Sequence, residues 1–173
     1  LISGTRGLKQ PQKYHIEVKM KIRITVGEEE KLNGYVNVDP ITKFDGLAVD
    51  IRNLDDVASD AECTEIIAED VIDYLEKEES LQVLNHWIKK LRHKGKIVVT
   101  SVDAHEVAKA FFRKEMDIKT FNRAIHGNFL QPWDVKMSHA TLEELDYVFS
   151  SSGLVVTKKR TNGIKLIVEA ERP

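Results

Sequence analysis

Carboxylates that end short apolar runs are the residues of this chain best placed to do chemistry. Asp39 follows Tyr35-Val36-Asn37-Val38, Asp50 follows Ala48-Val49, Glu69 closes Glu65-Ile66-Ile67-Ala68, and Gly27 ends an apolar run over 22–26. In an open parallel sheet, ligands lie beyond the carboxyl ends of the strands near the switch in strand order, so these four positions are expected to face one pocket. A carboxylate at such a strand end can accept hydrogen bonds from both hydroxyls of a ribose, which makes Asp39 the first candidate. Asp39 also reads as a turn carboxylate before Pro40, and Asp50 as no more than a strand end.

The remaining reactive side chains point less clearly to chemistry. Cys63 is the single cysteine, stands near a predicted strand start and is expected to pack rather than react. His86, His93 and His105 fall on predicted helices or helix entries, and none has metal-ligand spacing with Cys63. His126, Trp133 and His139 flank an irregular stretch, where Trp133 reads either as a pocket wall or as a ring packed on the sheet rim.

Short apolar runs alternating with helical stretches from Lys21 onward position these residues, and that alternation implies a parallel sheet with crossover helices. Strands are expected over 22–26, 35–38, 46–49, 65–68, 96–101, 154–158 and 164–169. Helices are expected over 80–93, 104–114 and 118–125, with Gly95 stopping the first. The last helix has a capping box, Thr141 with Glu144, an apolar face of Leu142, Leu145, Val148 and Phe149, and Gly153 at its end. Thr161-Asn162-Gly163 predicts a hairpin turn, because Asn-Gly tolerates the positive φ angles of a tight reversal.

Charge is nearly balanced at a formal −2, with no long block of Lys or Arg, which leaves no electrostatic case for nucleic acid or a membrane surface. No apolar run reaches the roughly 20 residues of a membrane span, and a lone cysteine suits a reducing compartment, so a cytoplasmic protein is expected. Met20 is the first methionine and precedes the first buried run. Residues 1–19 are therefore expected to form an N-terminal extension, part tail and part strand along the alternation from Tyr14, and 20–173 a single domain.

Local phrases add a family. Gly34-Tyr35-Val36-Asn37-Val38-Asp39, Ala48-Val49-Asp50-Ile51 with Leu54, the stretch from Glu65 to Leu75, Trp87 to Leu91 with Lys94-Gly95-Lys96, and Leu142 to Leu154 occur in order. Together they resemble small predicted methyltransferases of the class I S-adenosylmethionine-dependent family. The resemblance covers nearly everything from Met20 to Pro173. It implies an α/β, Rossmann-like class I methyltransferase fold, with a seven-stranded, mostly parallel sheet ending in an antiparallel hairpin and the strand beginning at Ile22 inside it. It also implies S-adenosylmethionine as cofactor, with Gly27, Glu29, Asp39, Asp50, Ile51 and Glu69 around it: Asp39 on the ribose, Asp50 at the adenine amino group and Ile51 lining the base. No residue names the methyl acceptor.

Two departures stand out. Gly27-Glu28-Glu29-Glu30 occupies the place of the family's glycine-cysteine-glycine turn, where the backbone approaches the methionine part of the cofactor. As residues, the three glutamates read as the solvated start of a helix. Asp70 and Tyr74 stand where relatives commonly carry histidines, so no acid or base is carried over to them. A transferase of unknown acceptor is the leading expectation, and a catalytically inactive binding or assembly module of the same fold is its rival.

Overall fold

The computed structural model describes residues 19–41 and 46–173. Its strands are β1 Met20–Ile24, β2 Val36–Val38, β3 Cys63–Glu69, β4 Leu91–Val102, β5 Val155–Asn162 and β6 Lys165–Glu171. Its helices are α1 Lys77–Lys90, α2 Ala104–Phe112, α3 Ile118–His126 and α4 Leu142–Ser151. The expected tail over 1–12 and the outer part of the first alternating run, 14–18, lie outside the described residues.

One sheet runs in the order β2-β1-β3-β4-β6-β5. β2, β1, β3 and β4 are mutually parallel, and β6 and β5 close it as an antiparallel pair. β1 is interior, as expected. Among the described residues six strands form instead of seven: the run over 46–49 makes a single parallel bridge, Leu47 with Val38, and Leu47 is exposed. A strand that buries little beside a three-residue β2 gains too little to order a ladder.

Two other boundaries move for identifiable reasons. α1 stops at Lys90 rather than at His93, and the chain passes straight into β4, with Lys94 at φ +61°. There Gly95 lies so close to β3 that a Cβ on it would sit 2.7 Å from the Cys63 carbonyl oxygen. The hairpin turn centres on Gly163, at φ +58°, and Ile164, while Asn162 stays in β5 paired with Lys165. Half of the capping box forms: Thr141 Oγ1 accepts from the Glu144 N–H at 3.2 Å, while the Glu144 carboxylate pairs with Lys77 Nζ at 2.5 Å.

The connections around the site depart most from a regular α/β pattern. Neither the β1–β2 link over 25–35 nor the described part of 39–62 contains a helix. In place of a crossover helix, the segment 51–60 is held by three side chains of α1. Trp87 donates its indole N–H to the Ile51 carbonyl at 2.8 Å, His86 Nε2 accepts from the Leu54 N–H at 2.9 Å, and the Lys90 ammonium reaches Asp55 at 2.5 Å and Asp60 at 2.9 Å. Ile51, Leu54 and Ala58 thereby join the main core with Trp87, Leu84 and the inner residues of β1, β3 and β4. A smaller cluster of Val102, Val107 and Ala124 seats the α2–α3 pair beyond β4.

His86 makes this clamp sensitive to acid. Only neutral imidazole can accept from Leu54, and burial, with the Lys90 charge adding to it, holds His86 below its ordinary value near 6.5. A depressed histidine contributes stability that is complete above pH 6.5 and is lost as pH falls through the folded value, because the unfolded chain takes up the proton first. His86→Gln keeps an acceptor that does not titrate. The urea midpoint of the wild type is expected to fall more steeply than that of the variant as pH is lowered below 6.5; parallel losses would remove His86 from the clamp.

Candidate functional site

A cleft of about 490 Å³ opens beyond the carboxyl ends of β1, β2 and β3. Strand order reverses there, from β1 outward to β2 and then back to β3, which is where open α/β sheets bind ligands. Its size falls within the range of small-molecule sites. Val26, Ile41, Val49, Ile51 and Leu75 supply apolar wall, Asp50, Arg52 and Glu79 the polar rim, and Tyr74, Trp133 and Met137 the side formed by later segments.

The expected site residues separate into two groups. Asp50 and Ile51 line the cleft. Asp50 accepts from the Arg52 guanidinium at 2.8–3.0 Å, and that pairing holds its carboxyl below the usual range; Arg52 also reaches Glu79 at 3.3 Å. The other acidic candidates face elsewhere. Glu69 pairs with Arg23 at 2.7 Å, and Glu29 is exposed on the turn outside the cleft wall.

Asp39 is fully buried behind the wall, and its carboxylate accepts from four donors: Thr25 Oγ1 at 2.9 Å and the N–H groups of Gly27, Glu28 and Ile41 at 2.9–3.0 Å. A carboxylate offers about four acceptor positions, so all are taken, and ribose hydroxyls could reach it only by displacing these donors. Both readings of Asp39 had it accept from partners beyond the strand end. The partners are the chain's own, three backbone N–H groups and the Thr25 hydroxyl.

The glutamates follow in a turn with bonds of its own. The N–H groups of Gly27 and Glu28 point inward to Asp39, Glu28 Oε1 accepts from the Glu29 N–H at 2.8 Å, and Arg23 donates to the Glu30 carbonyl at 2.6 Å. The turn is wrapped around one cation and one buried anion. The helix start expected there is absent.

Gly27, at φ +71°, carries the Trp133 ring directly upon it: a Cβ built on Gly27 would lie 2.3 Å from that ring. Trp133 meets Tyr74 edge to face, with centroids 5.8 Å apart and planes at 73°. The segment bearing Trp133 is tied down on both sides. Buried Asp134 accepts from the Tyr74 hydroxyl at 3.3 Å and from the Asn128 N–H at 3.2 Å. Further along, the Met137 and Ser138 N–H groups donate to the Asp73 carbonyl, Ser138 Oγ to the Leu75 carbonyl, and Lys77 Nζ to the His139 carbonyl. Beneath these lies buried Asp73, with Ser101 Oγ bonded to it and Lys136 Nζ at 3.3 Å, while His139 Nε2 donates to the Ile125 carbonyl.

Trp133 thus meets both readings it had, packing on the sheet rim at Gly27 and lining the cleft, and Arg52, Glu79 and Met137 join it there without any prior signal of their own, as does Tyr74, singled out only as a departure from its relatives. Burial, then the charge of Asp134, pushes the Tyr74 phenol up to about 12, so at neutral pH it is a hydrogen-bond donor and not a base. Among the described residues no group of three or more His, Cys, Asp or Glu could hold a metal ion. Among them, too, no helix is long and apolar enough to cross a membrane.

Comparison with known proteins places the fold. No protein-family model and no curated protein matches the chain. Solved structures do. A structure of the complex between the Haloferax volcanii Trm112 methyltransferase activator and a methyltransferase aligns with a TM-score of 0.60 and 10% identity over 93% of this chain and 85% of that one. A SAM-dependent methyltransferase from Thermotoga maritima aligns at 0.59 and 12% identity over 89% and 82%. The 1,6-didemethyltoxoflavin-N1-methyltransferase of Burkholderia thailandensis, with bound S-adenosylhomocysteine, aligns at 0.54 and 9% identity over 80% and 60%. The chain is similar to each in backbone and hardly at all in sequence.

Proposed function

From the class I methyltransferase fold as premise, we propose that this chain is an S-adenosylmethionine-dependent methyltransferase that holds the adenosyl end of its cofactor in the cleft at Asp50 and Ile51. The observation that carries the reading is the coincidence of that cleft with the reversal in strand order, on a fold whose solved neighbours are S-adenosylmethionine-dependent enzymes, one with S-adenosylhomocysteine bound. The residues present fit a purine nucleoside. Val26 and Ile51 offer apolar contact, and the Asp50 carboxylate, half-exposed and kept ionised by three Arg52 donors (the backbone N–H, Nε and Nη2), retains one acceptor position that can take an exocyclic amino group.

When bound, the cofactor supplies a methyl group on a sulfonium to an oxygen, nitrogen or carbon nucleophile. The chain's own part is positioning: the cleft walls fix the nucleoside, and Tyr74 and Met137 border the side from which an acceptor would approach. No general base is needed for an acceptor that is already nucleophilic.

The rival reading, an inactive binding or assembly module of the same fold, is favoured by the saturated carboxylate of Asp39 and by the ring of Trp133 on Gly27. Calorimetry with S-adenosylmethionine and S-adenosylhomocysteine on the intact chain separates the two. Saturable binding that Asp50→Ala weakens about tenfold supports the methyltransferase reading, a loss corresponding to one charged hydrogen bond of about 1.4 kcal/mol. Absence of binding at about 1 mM ligand, the weak limit of specific recognition, leaves the module as the better account.

A further inference from the structure

We infer that Trp133 sets the length of ligand this site accepts: in the described conformation the cleft takes a purine nucleoside with a short 5′ substituent, and the full cofactor enters only when the indole is displaced. The inference rests on the proposed adenosyl site and concerns its other end. Gly27 is the one residue of the turn with no side chain, and the surface it frees is covered by the Trp133 ring, which leaves no room there even for a methyl group. A methionine or homocysteine tail running past Gly27 therefore overlaps the indole. The nucleoside end, at Val26, Asp50 and Ile51, does not.

The segment that carries Trp133 is built to keep it in place. Asp134, the next residue, is 5% exposed and bonded to Tyr74 and to the Asn128 N–H, and its carbonyl accepts from the Phe129 N–H. Gly127 turns the chain at φ +94° so close to Asp134 that a Cβ there would sit 2.4 Å from the Asp134 carbonyl oxygen. Met137 and Ser138 are strapped to the turn over 72–75 by backbone and side-chain bonds. Displacing the indole thus means rotating one side chain against a fixed backbone, or breaking the Tyr74–Asp134 contact to move the backbone with it. Either cost appears as a fraction of molecules competent to bind a long ligand, and a site competent one time in ten binds tenfold more weakly.

The test pairs two ligands with two side chains. 5′-Deoxy-5′-methylthioadenosine and S-adenosylhomocysteine share the nucleoside and sulfur and differ in the amino-acid tail. Titrated into the wild type, the short ligand is expected to bind more tightly. In Trp133→Ala, affinity for S-adenosylhomocysteine is expected to rise by about tenfold or more while that for the short ligand changes less than about threefold. Trp133→Phe, which keeps an aromatic ring of smaller area, is expected to fall between, and covers the case in which alanine does not fold. A second readout follows the indole itself. Trp87 is fully buried, so a red shift of emission when S-adenosylhomocysteine binds the wild type reports exposure of Trp133, and methylthioadenosine is expected to cause none. Equal affinity changes for both ligands, or weaker S-adenosylhomocysteine binding in both variants, overturn the inference while leaving the adenosyl site standing. If neither ligand binds wild type or variants, the adenosyl site itself is overturned, and the inference with it.

Discussion

Asp39→Ala is expected to cost at least about 3 kcal/mol of stability and to abolish nucleoside binding in the cleft, although the carboxylate does not line it. Truncation at this fully buried position removes the acceptor of one buried hydroxyl and three partly buried backbone N–H groups, each worth roughly 1–3 kcal/mol when left unpaired. Those donors belong to Thr25, Gly27, Glu28 and Ile41, so the residues freed are the ones that shape the cleft beside Val26 and Ile41. Asp39→Asn keeps the shape but turns one acceptor into a donor facing an N–H, and should lie between. Glu65→Ala is the control. Glu65 sits toward the opposite end of β3, buried between Lys21, Lys96 and the Tyr35 hydroxyl, so stability but no ligand affinity should be lost. Urea midpoints and nucleoside titrations on the three variants decide it; comparable binding losses in Asp39→Ala and Glu65→Ala would show that Asp39 does not organise the cleft.

What could be read from the residues alone follows a physical division. The interior strands, the Thr141 hydroxyl cap of α4 and the terminal antiparallel pair depend on local periodicity and on turn chemistry, and they form where local preference says they should. The features that differ are decided at a distance. Glu28, Glu29 and Glu30 have the composition of a helix start, yet the Glu30 carbonyl that a helix would need for its own ladder is taken by Arg23, and the Gly27 and Glu28 N–H groups turn to Asp39, whose place beside them is set by β1 and β2 pairing. The apolar run at 46–49 has strand composition but meets a partner of only three residues, and one bridge results. The site divides in the same way. Asp50 and Ile51 reach the cleft because they directly follow the run that bridges to β2. Trp133 reaches Gly27 from more than a hundred residues away, through bonds to the turn over 72–75 that no spacing pattern encodes.

The link over 25–35 also changes what the site can offer a ligand. Parallel neighbours usually need a crossover of a dozen or more residues, most often a helix, whose N-terminus then presents free N–H groups to an anion. Here the link is shorter and non-helical, and an anion of the chain itself, Asp39, takes the N–H groups. Nucleoside recognition then falls to the 48–52 side of the cleft. That side is held to the sheet by the one bridge at Leu47 and beyond it by α1.

Trp87 is where that dependence can be measured. Its indole is fully buried and its N–H donates to the carbonyl of Ile51, a residue of the cleft wall, so one side chain joins the core to the site. Trp87→Ala is expected to lose about 3–5 kcal/mol, enough to unfold much of a marginally stable domain. Trp87→Phe is the more informative change. It retains most of the apolar volume, removes the donor and leaves a carbonyl unpaired, for about 1–2 kcal/mol. Leu166→Ala serves as comparison, since Leu166 is fully buried on β6, away from the cleft, and its loss costs about 2–5 kcal/mol by cavity formation. If the α1 clamp positions the wall, Trp87→Phe weakens nucleoside affinity several-fold and raises amide exchange over 51–58, whereas Leu166→Ala, though less stable, binds as the wild type does. Equal affinity losses in the two would mean that binding tracks global stability alone, and that the bond between Trp87 and Ile51 holds the fold without holding the site.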